Sequence, residues 1–168
     1  SSSAPTGCAR SPATTSITSG FSDVEIGGAS PTGGASYSGG TWTVQGTGAG
    51  MKGASDSCHF TYKAITGDCA IIAKVVSVEN TKMGAKAGVM MRDPTGGLDA
   101  MFADVVLTGT GNILFQRRIT DAAAVTVTTI TGPFTEVWVK LVRTGNVFSA
   151  FYATTANLPR AMDWITLA

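Results

Sequence analysis

The sequence predicts an all-β protein, an antiparallel two-sheet jelly-roll sandwich. Two segments carry most of this prediction: residues 85–93 (Ala-Lys-Ala-Gly-Val-Met-Met-Arg-Asp) and residues 138–151, in which Thr144-Gly145-Asn146 separates two strand-like runs. Alternate side chains of a strand point to opposite faces, and both segments place small or apolar residues on one face. No stretch of helical period competes with them, and 168 residues suffice for one domain with a hydrophobic core.

From Phe21 onward, short β-prone runs alternate with turn signals at the spacing typical of a sandwich. Gly- and Asn-containing turns at residues 66–68, 109–112 and 144–146 predict three hairpins, and residues 121–124 have room for one helical turn. The predicted strands are residues 23–26, 41–45, 59–64, 69–78, 85–92, 101–108, 113–120, 125–131, 137–143 and 147–154. Their alternation predicts the core residues Val89, Met91, Val105, Leu107, Ile113, Phe115, Val139, Leu141, Phe148 and Tyr152.

Composition divides the chain into a Ser/Thr/Pro-rich N-terminal tail, residues 1–20, and a sandwich domain, residues 21–168. The net charge of +1 gives no steering toward nucleic acid, and no apolar run is long enough to span a membrane. Charged residues make up 14% against a usual ~25%, which is common where neighbouring subunits cover the surface. The start at Ser1, without a leader, leads us to expect an exported protein at the cell surface or outside the cell.

Cys8, Cys58 and Cys69 have no Cys-x-x-Cys spacing, and His59 is the single histidine, so a zinc site is not expected. The three thiols leave open one intramolecular disulfide with an odd cysteine, a bridge between subunits, or buried free thiols. We expect no cofactor, with calcium the one metal left open. Its weak candidate ligands are the loop residues Asp93, Asp99 and Asp121.

An enzyme is not expected. Glycosidases use paired carboxylates, and Glu25, Glu79 and Glu136 form no such pair in the sequence. His59 follows Cys58 directly, so the two side chains of a strand would point to opposite faces. A structural role for His59 is therefore the simpler interpretation.

Three neighbouring predicted strands place polar side chains on one face. Asp104 interrupts an apolar run, so we expect it to meet a cation such as Arg92 or Arg118. Such a patch would either hydrogen-bond sugar hydroxyls or be an internal ion pair. The candidate ligand face is Lys86, Arg92, Phe102, Asp104, Gln116 and Arg118. Trp42, Trp138 and Trp164 would stack on a sugar or belong to the core.

A family resemblance rests on three passages: His59-Phe60-Thr61-Tyr62 with Thr66-Gly67-Asp68, residues 85–92, and residues 138–143 with Gly145-Asn146. Over residues 21–167 the chain resembles the concanavalin A-like sandwich modules of secreted bacterial proteins known as DUF1349-like, a family of unknown function. The resemblance implies a jelly-roll sandwich suspected of binding glycans, and it brings no catalytic residues. It also implies two further strands beyond Trp164, one beside residues 23–26, whereas this chain ends at Ala168.

We therefore expect a non-catalytic extracellular subunit that assembles with itself into a filament, tube or surface layer, its sandwich completed by a strand from a neighbour. Residues 11–20 are the expected donor, with Ile17 as the apolar plug and Cys8 as a covalent clasp. The alternative is a carbohydrate-binding module of a secreted protein, for which glycans would be the partner.

Overall fold

A computed structural model describes residues 20–51, 53 and 55–167, in which regular structure is almost entirely β. A single 3-10 turn, Ala161–Asp163, precedes the last strand. The strands are β1 (Ser22–Ile26), β2 (Gly34–Ser38), β3 (Thr41–Gln45), β4 (Cys58–Tyr62), β5 (Cys69–Val75), β6 (Lys86–Arg92), β7 (Phe102–Thr108), β8 (Ile113–Arg118), β9 (Thr126–Ile130), β10 (Val137–Thr144), β11 (Val147–Ala153) and β12 (Ile165–Thr166).

Two four-stranded antiparallel sheets face each other. One has the order β6-β7-β8-β9 and the other β12-β11-β10-β5. Two smaller antiparallel sheets, β1-β4 and β2-β3, complete the described part of the chain. The all-β class and the sandwich arrangement are confirmed. The jelly-roll order of the strands stays a prediction.

The core lies between the two large sheets and is built from alternate residues of each strand. Seven of the ten predicted core residues are buried: Val89, Val105, Leu107, Ile113, Phe115, Val139 and Leu141. Met91 and Tyr152 are partly buried and pack against them. Phe148 is wrong as a core residue. It shares the inward face of Ala150 but lies next to the turn after β10, where the sandwich ends, and 37% of it is exposed.

The structure differs from the local predictions at four places. β2 and β12 were not expected, because Gly34–Ser38 has the composition of a turn and β12 has only two residues. Residues 66–68 do not close a hairpin, since β4 pairs with β1 whereas β5 pairs with β10. Residues 121–124 form no helical turn, because Ala122 has a φ of 61°.

The structure explains why a glycine, Gly88, interrupts the apolar β6. Its backbone approaches β7 so closely that an added Cβ would overlap the carbonyl oxygen of Val105 and come within 2.7 Å of the Val106 Cα. Any side chain there would push the two strands apart.

Candidate functional site

The six predicted ligand-face residues do lie on one face of the β6-β7-β8-β9 sheet, the face turned away from the core. The register aligns Arg92 with Phe102 and Arg118, and aligns Asp104 with Gln116. The face is not open, however. Phe102, Asp104, Gln116 and Arg118 are all buried.

Arg118 is enclosed by acceptors. Its two terminal nitrogens donate to the two carboxylate oxygens of Asp56, each at 2.8 Å. The same guanidinium donates to the backbone carbonyls of Ala123, Ala100 and Gly53 at 3.0, 2.9 and 2.7 Å. Its charge also lies 5.2 Å from the centre of the Phe102 ring, a cation–π distance. Hydrogen bonding to Asp56 raises the pKa of Arg118 further.

Arg92 completes the cluster from the neighbouring strand. Its Nη1 donates to Asp56 Oδ2 at 2.6 Å and its Nη2 to the Gly97 carbonyl at 2.7 Å. Asp56 itself is fully buried, and its backbone N–H donates to the Leu98 carbonyl. The Arg92–Asp56–Arg118 triad is therefore an internal lock between β6, β8 and the residues that lead into β4. It leaves no donor of Arg118 directed at solvent for a ligand.

The prediction that Asp104 meets Arg92 or Arg118 is wrong, because both arginines are bound to Asp56. Within the described residues, Asp104 Oδ1 and Gln116 Oε1 are buried without a hydrogen-bond partner. Burial raises the pKa of Asp104 to about 7, an effect that Lys86 opposes. Asp56 had no sequence signal, since it lies in a Gly- and Ser-rich stretch that resembles an ordinary loop.

The chain itself covers this face. Lys86 Nζ lies against Gly50, which exchanges two backbone hydrogen bonds with Ser57. Met51 is buried, and its sulfur lies 3.7 Å from the Cys58 thiol. Four of the six residues thus lie in an inner layer of the molecule, whereas Lys86 and Arg92 are partly exposed at its border.

A second polar cluster surrounds His59 on the small β1-β4 sheet. His59 Nδ1 lies 2.6 Å from Glu25 Oε1, and His59 Nε2 lies 3.4 Å from Asp23 Oδ1. Asp23 also accepts the Thr61 hydroxyl at 2.6 Å. The β2-β3 hairpin approaches this cluster through Gly33, whose N–H donates to Glu25. The imidazole therefore joins strands through Nδ1, whereas Nε2 is buried without a hydrogen-bond partner, as is Glu25 Oε2. Among the described residues, no hydroxyl or thiol is hydrogen-bonded to the ring.

The cysteines named as disulfide candidates and the aspartates named as calcium ligands do not form the predicted sites within the described residues. Cys58 and Cys69 are free thiols in different sheets, so they do not form a disulfide with each other. Burial raises the pKa of Cys58 to about 11. Asp93 accepts from Thr95, and Asp121 accepts from the Met101 N–H. In the described ranges, no group of three or more His, Cys, Asp or Glu residues is placed to hold a metal ion.

Two of the three tryptophans, Trp138 and Trp164, contact other residues of the protein itself. Trp138 donates its indole N–H to the Thr155 carbonyl, and the Trp164 ring lies 4.2 Å from Lys140 Nζ. Trp42 is different, because its neighbours are exposed. The rings of Phe21 and Tyr37 lie 5.0 and 5.2 Å from it, and 40% of Tyr37 is exposed.

One of the large sheets ends at β5, whose outer edge is apolar and exposed. This strand pairs with β10 on one side, and no strand among the described residues pairs with its other side. Ile71 faces inward, opposite the fully buried Leu141, yet 37% of it is exposed. Ile72 on the opposite face is 46% exposed. We name the free side of Cys69–Val75 the β5 edge.

Two assembly predictions, Cys8 and Ile17, lie outside the described residues, as do residues 1–19 of the tail. No family model, curated protein or solved structure matches the chain. The resemblance to concanavalin A-like modules therefore stays a prediction. No helix in the part of the chain that the structure describes has the length and apolar character needed to cross a membrane.

Proposed function

We propose that the protein is a non-catalytic structural subunit, located outside the cell or at its surface, that assembles with copies of itself by sharing strands. The observation that carries this proposal is the β5 edge. An unpaired apolar strand edge has backbone N–H and C=O groups ready to pair with another chain. Natural monomers usually block such an edge with charges, proline or a covering loop.

The polar clusters fit a structural role better than a catalytic one. Asp56 is bound by two arginines, and His59 is held between two carboxylates. The hydrogen bonds to Asp56 and the contact of His59 Nδ1 with Glu25 join separate segments of the chain. A catalytic site would instead direct such groups toward a pocket.

Strand sharing gives affinity through backbone hydrogen bonds and specificity through alternate side chains. Residues 11–20 are the proposed donor, and a head-to-tail contact of this type propagates into a filament or tube if it does not close. Each added hydrogen bond contributes ~0.5–1.5 kcal/mol net, so several in register are needed for a lasting contact.

A carbohydrate-binding module is the second candidate, and one observation favours it. Tyr37, Trp42 and Phe21 form an aromatic cluster with an exposed side at the β2-β3 hairpin. Aromatic rings of this kind can pack against the apolar face of a sugar. The candidate ligand face does not support this alternative, because four of its six residues are buried.

The first prediction concerns assembly of the full chain and of a variant that lacks residues 1–20. We expect negative-stain microscopy to show polymers of the full chain and to show none for the shortened variant, since the donor strand is removed. A glycan array of wild type beside Trp42→Ala serves as the control for the second candidate. A full chain that stays unassembled at high concentration and binds glycans through Trp42 would overturn the proposal.

A further inference from the structure

We infer that the β5 edge pairs with the β5 edge of a second copy, antiparallel and about a twofold axis at Ile72, so that two four-stranded sheets become one continuous sheet. This inference rests on the proposed self-assembly through the β5 edge but names another occupant of that edge, a second β5 in place of residues 11–20. At any one edge the two occupants exclude each other, and pairing of two β5 strands closes into a dimer.

The centre of β5 is apolar on both faces. Ile71 and Ile72 are 37% and 46% exposed, and Ala70 beside them is exposed as well. An added strand would cover both isoleucines at once, since its alternate side chains also point to both faces. Residues 11–20 offer one sizeable apolar side chain, Ile17, whereas a second β5 offers the exposed Ile71 and Ile72.

The single charge of β5 does not protect its edge. Lys74 Nζ donates to Glu136 Oε1 at 2.9 Å and to the Ala156 carbonyl at 3.2 Å. Glu136 directly precedes β10, and Ala156 follows β11, so the ammonium is drawn back over its own sheet. A lysine that extended past the edge would repel an incoming strand.

The sequence of β5 is self-complementary about Ile72. In this register Ile72 lies opposite Ile72 of the partner, Ile71 opposite Ala73, and Lys74 opposite Ala70. No like charges meet, and inward residues face inward residues across the twofold axis. The other edges of the two large sheets are poorer. β12 has two residues, β9 reads Thr-Val-Thr-Thr-Ile with mostly polar faces, and β6 paired with itself about Val89 would place Lys86 opposite Arg92.

The second prediction tests this register by cross-linking in the full chain. Ile72→Cys should give a covalent dimer with a short thiol-to-thiol cross-linker, and peptide mapping should place the link between the two introduced cysteines. Wild type should give no link between the two copies of Cys69, which lie ~20 Å apart in this register. Ser149→Cys, on the same outer face but within the sheet, is the control.

A charge pair makes the test independent of cysteine chemistry. Ile72→Lys and Ile72→Glu each place like charges opposite one another, and we expect each to weaken dimerisation about tenfold or more in sedimentation velocity. An equal mixture of the two should restore the dimer, which a folding defect would not do. Failure of both the cross-link and the restoration would overturn the inference. A full chain that gives the β5 dimer but no polymers would instead count against tail donation alone.

Discussion

At the residue scale, two buried aspartates of neighbouring segments differ in how their charge is satisfied. Asp56 accepts three hydrogen bonds from two arginines, so its negative charge is compensated. Asp104 has an unpartnered buried oxygen, and burial raises its pKa to about 7 from an ordinary value of 3.8. The folded protein therefore binds this proton more tightly than the unfolded chain does.

The third prediction follows from the raised pKa of Asp104 in the folded protein. The contribution of Asp104 to stability is full below pH ~4 and is lost as the pH rises through about 7. Asp104→Asn cannot ionise, so urea unfolding should show the variant more stable than wild type by ~1–3 kcal/mol at pH 8, with the difference shrinking toward pH 5.

Asp56→Asn is the matched control for this prediction. It leaves two guanidinium groups without a charged partner, and we expect a loss of ~3–5 kcal/mol at both pH values. If Asp104→Asn destabilised the protein at pH 8 as Asp56→Asn does, the Asp104 carboxylate would have to be satisfied in the fold.

At the element scale, the structure explains a glycine in β6 that the sequence did not. The Ala-Lys-Ala-Gly-Val-Met run correctly predicted a strand, but the sequence alone did not say why this strand contains a glycine. The structure shows β7 backbone where a Gly88 Cβ would lie. The close approach of β6 and β7 therefore requires the glycine of this motif.

The fourth prediction is that Gly88→Ala destabilises the protein by ~1–3 kcal/mol, since the added methyl group forces β6 away from β7. Thermal or urea unfolding would measure the change. Ala87→Ser, an exposed position of the same strand, should change stability by less than ~0.5 kcal/mol. Equal effects at the two positions would show that β6 tolerates a side chain at Gly88.

Strand existence was predictable because Val, Ile and Thr alternate between turn residues, and ten of the twelve strands were found this way. Pairing was less predictable. Thr66-Gly67-Asp68 has hairpin chemistry, but long-range pairing places β4 beside β1 and β5 beside β10. The candidate ligand face was also only partly predictable. Its six residues share one face of the sheet as expected, but Asp56, which is distant in sequence, binds Arg92 and Arg118 and helps to cover that face.

At the scale of the whole molecule, the two large sheets share one core. Val139 and Leu141 from β10 pack with Val105 and Phe115 from the facing sheet, and all four are essentially inaccessible to solvent. Because each sheet supplies half of this core, neither can keep its apolar face buried without the other. We therefore expect the sandwich to unfold in one cooperative transition.

The fifth prediction tests the shared core. Leu141→Ala should lower the free energy of unfolding by ~2–5 kcal/mol and leave a single transition, because the cavity lies between the sheets. Val142→Ala, on the outer face of the same strand, should cost less. A separate early transition in the Leu141 variant would show that the sheets unfold independently.

The Arg92–Asp56–Arg118 lock has a consequence for proteolysis. Asp56 lies in a Gly- and Ser-rich stretch whose composition would ordinarily make it a preferred cleavage site. A cut at Asp56 itself requires its side chain to leave the two guanidinium groups that share it. We therefore expect the rate of cleavage at this residue to follow the opening of a buried ion pair and to be far lower than composition alone would suggest.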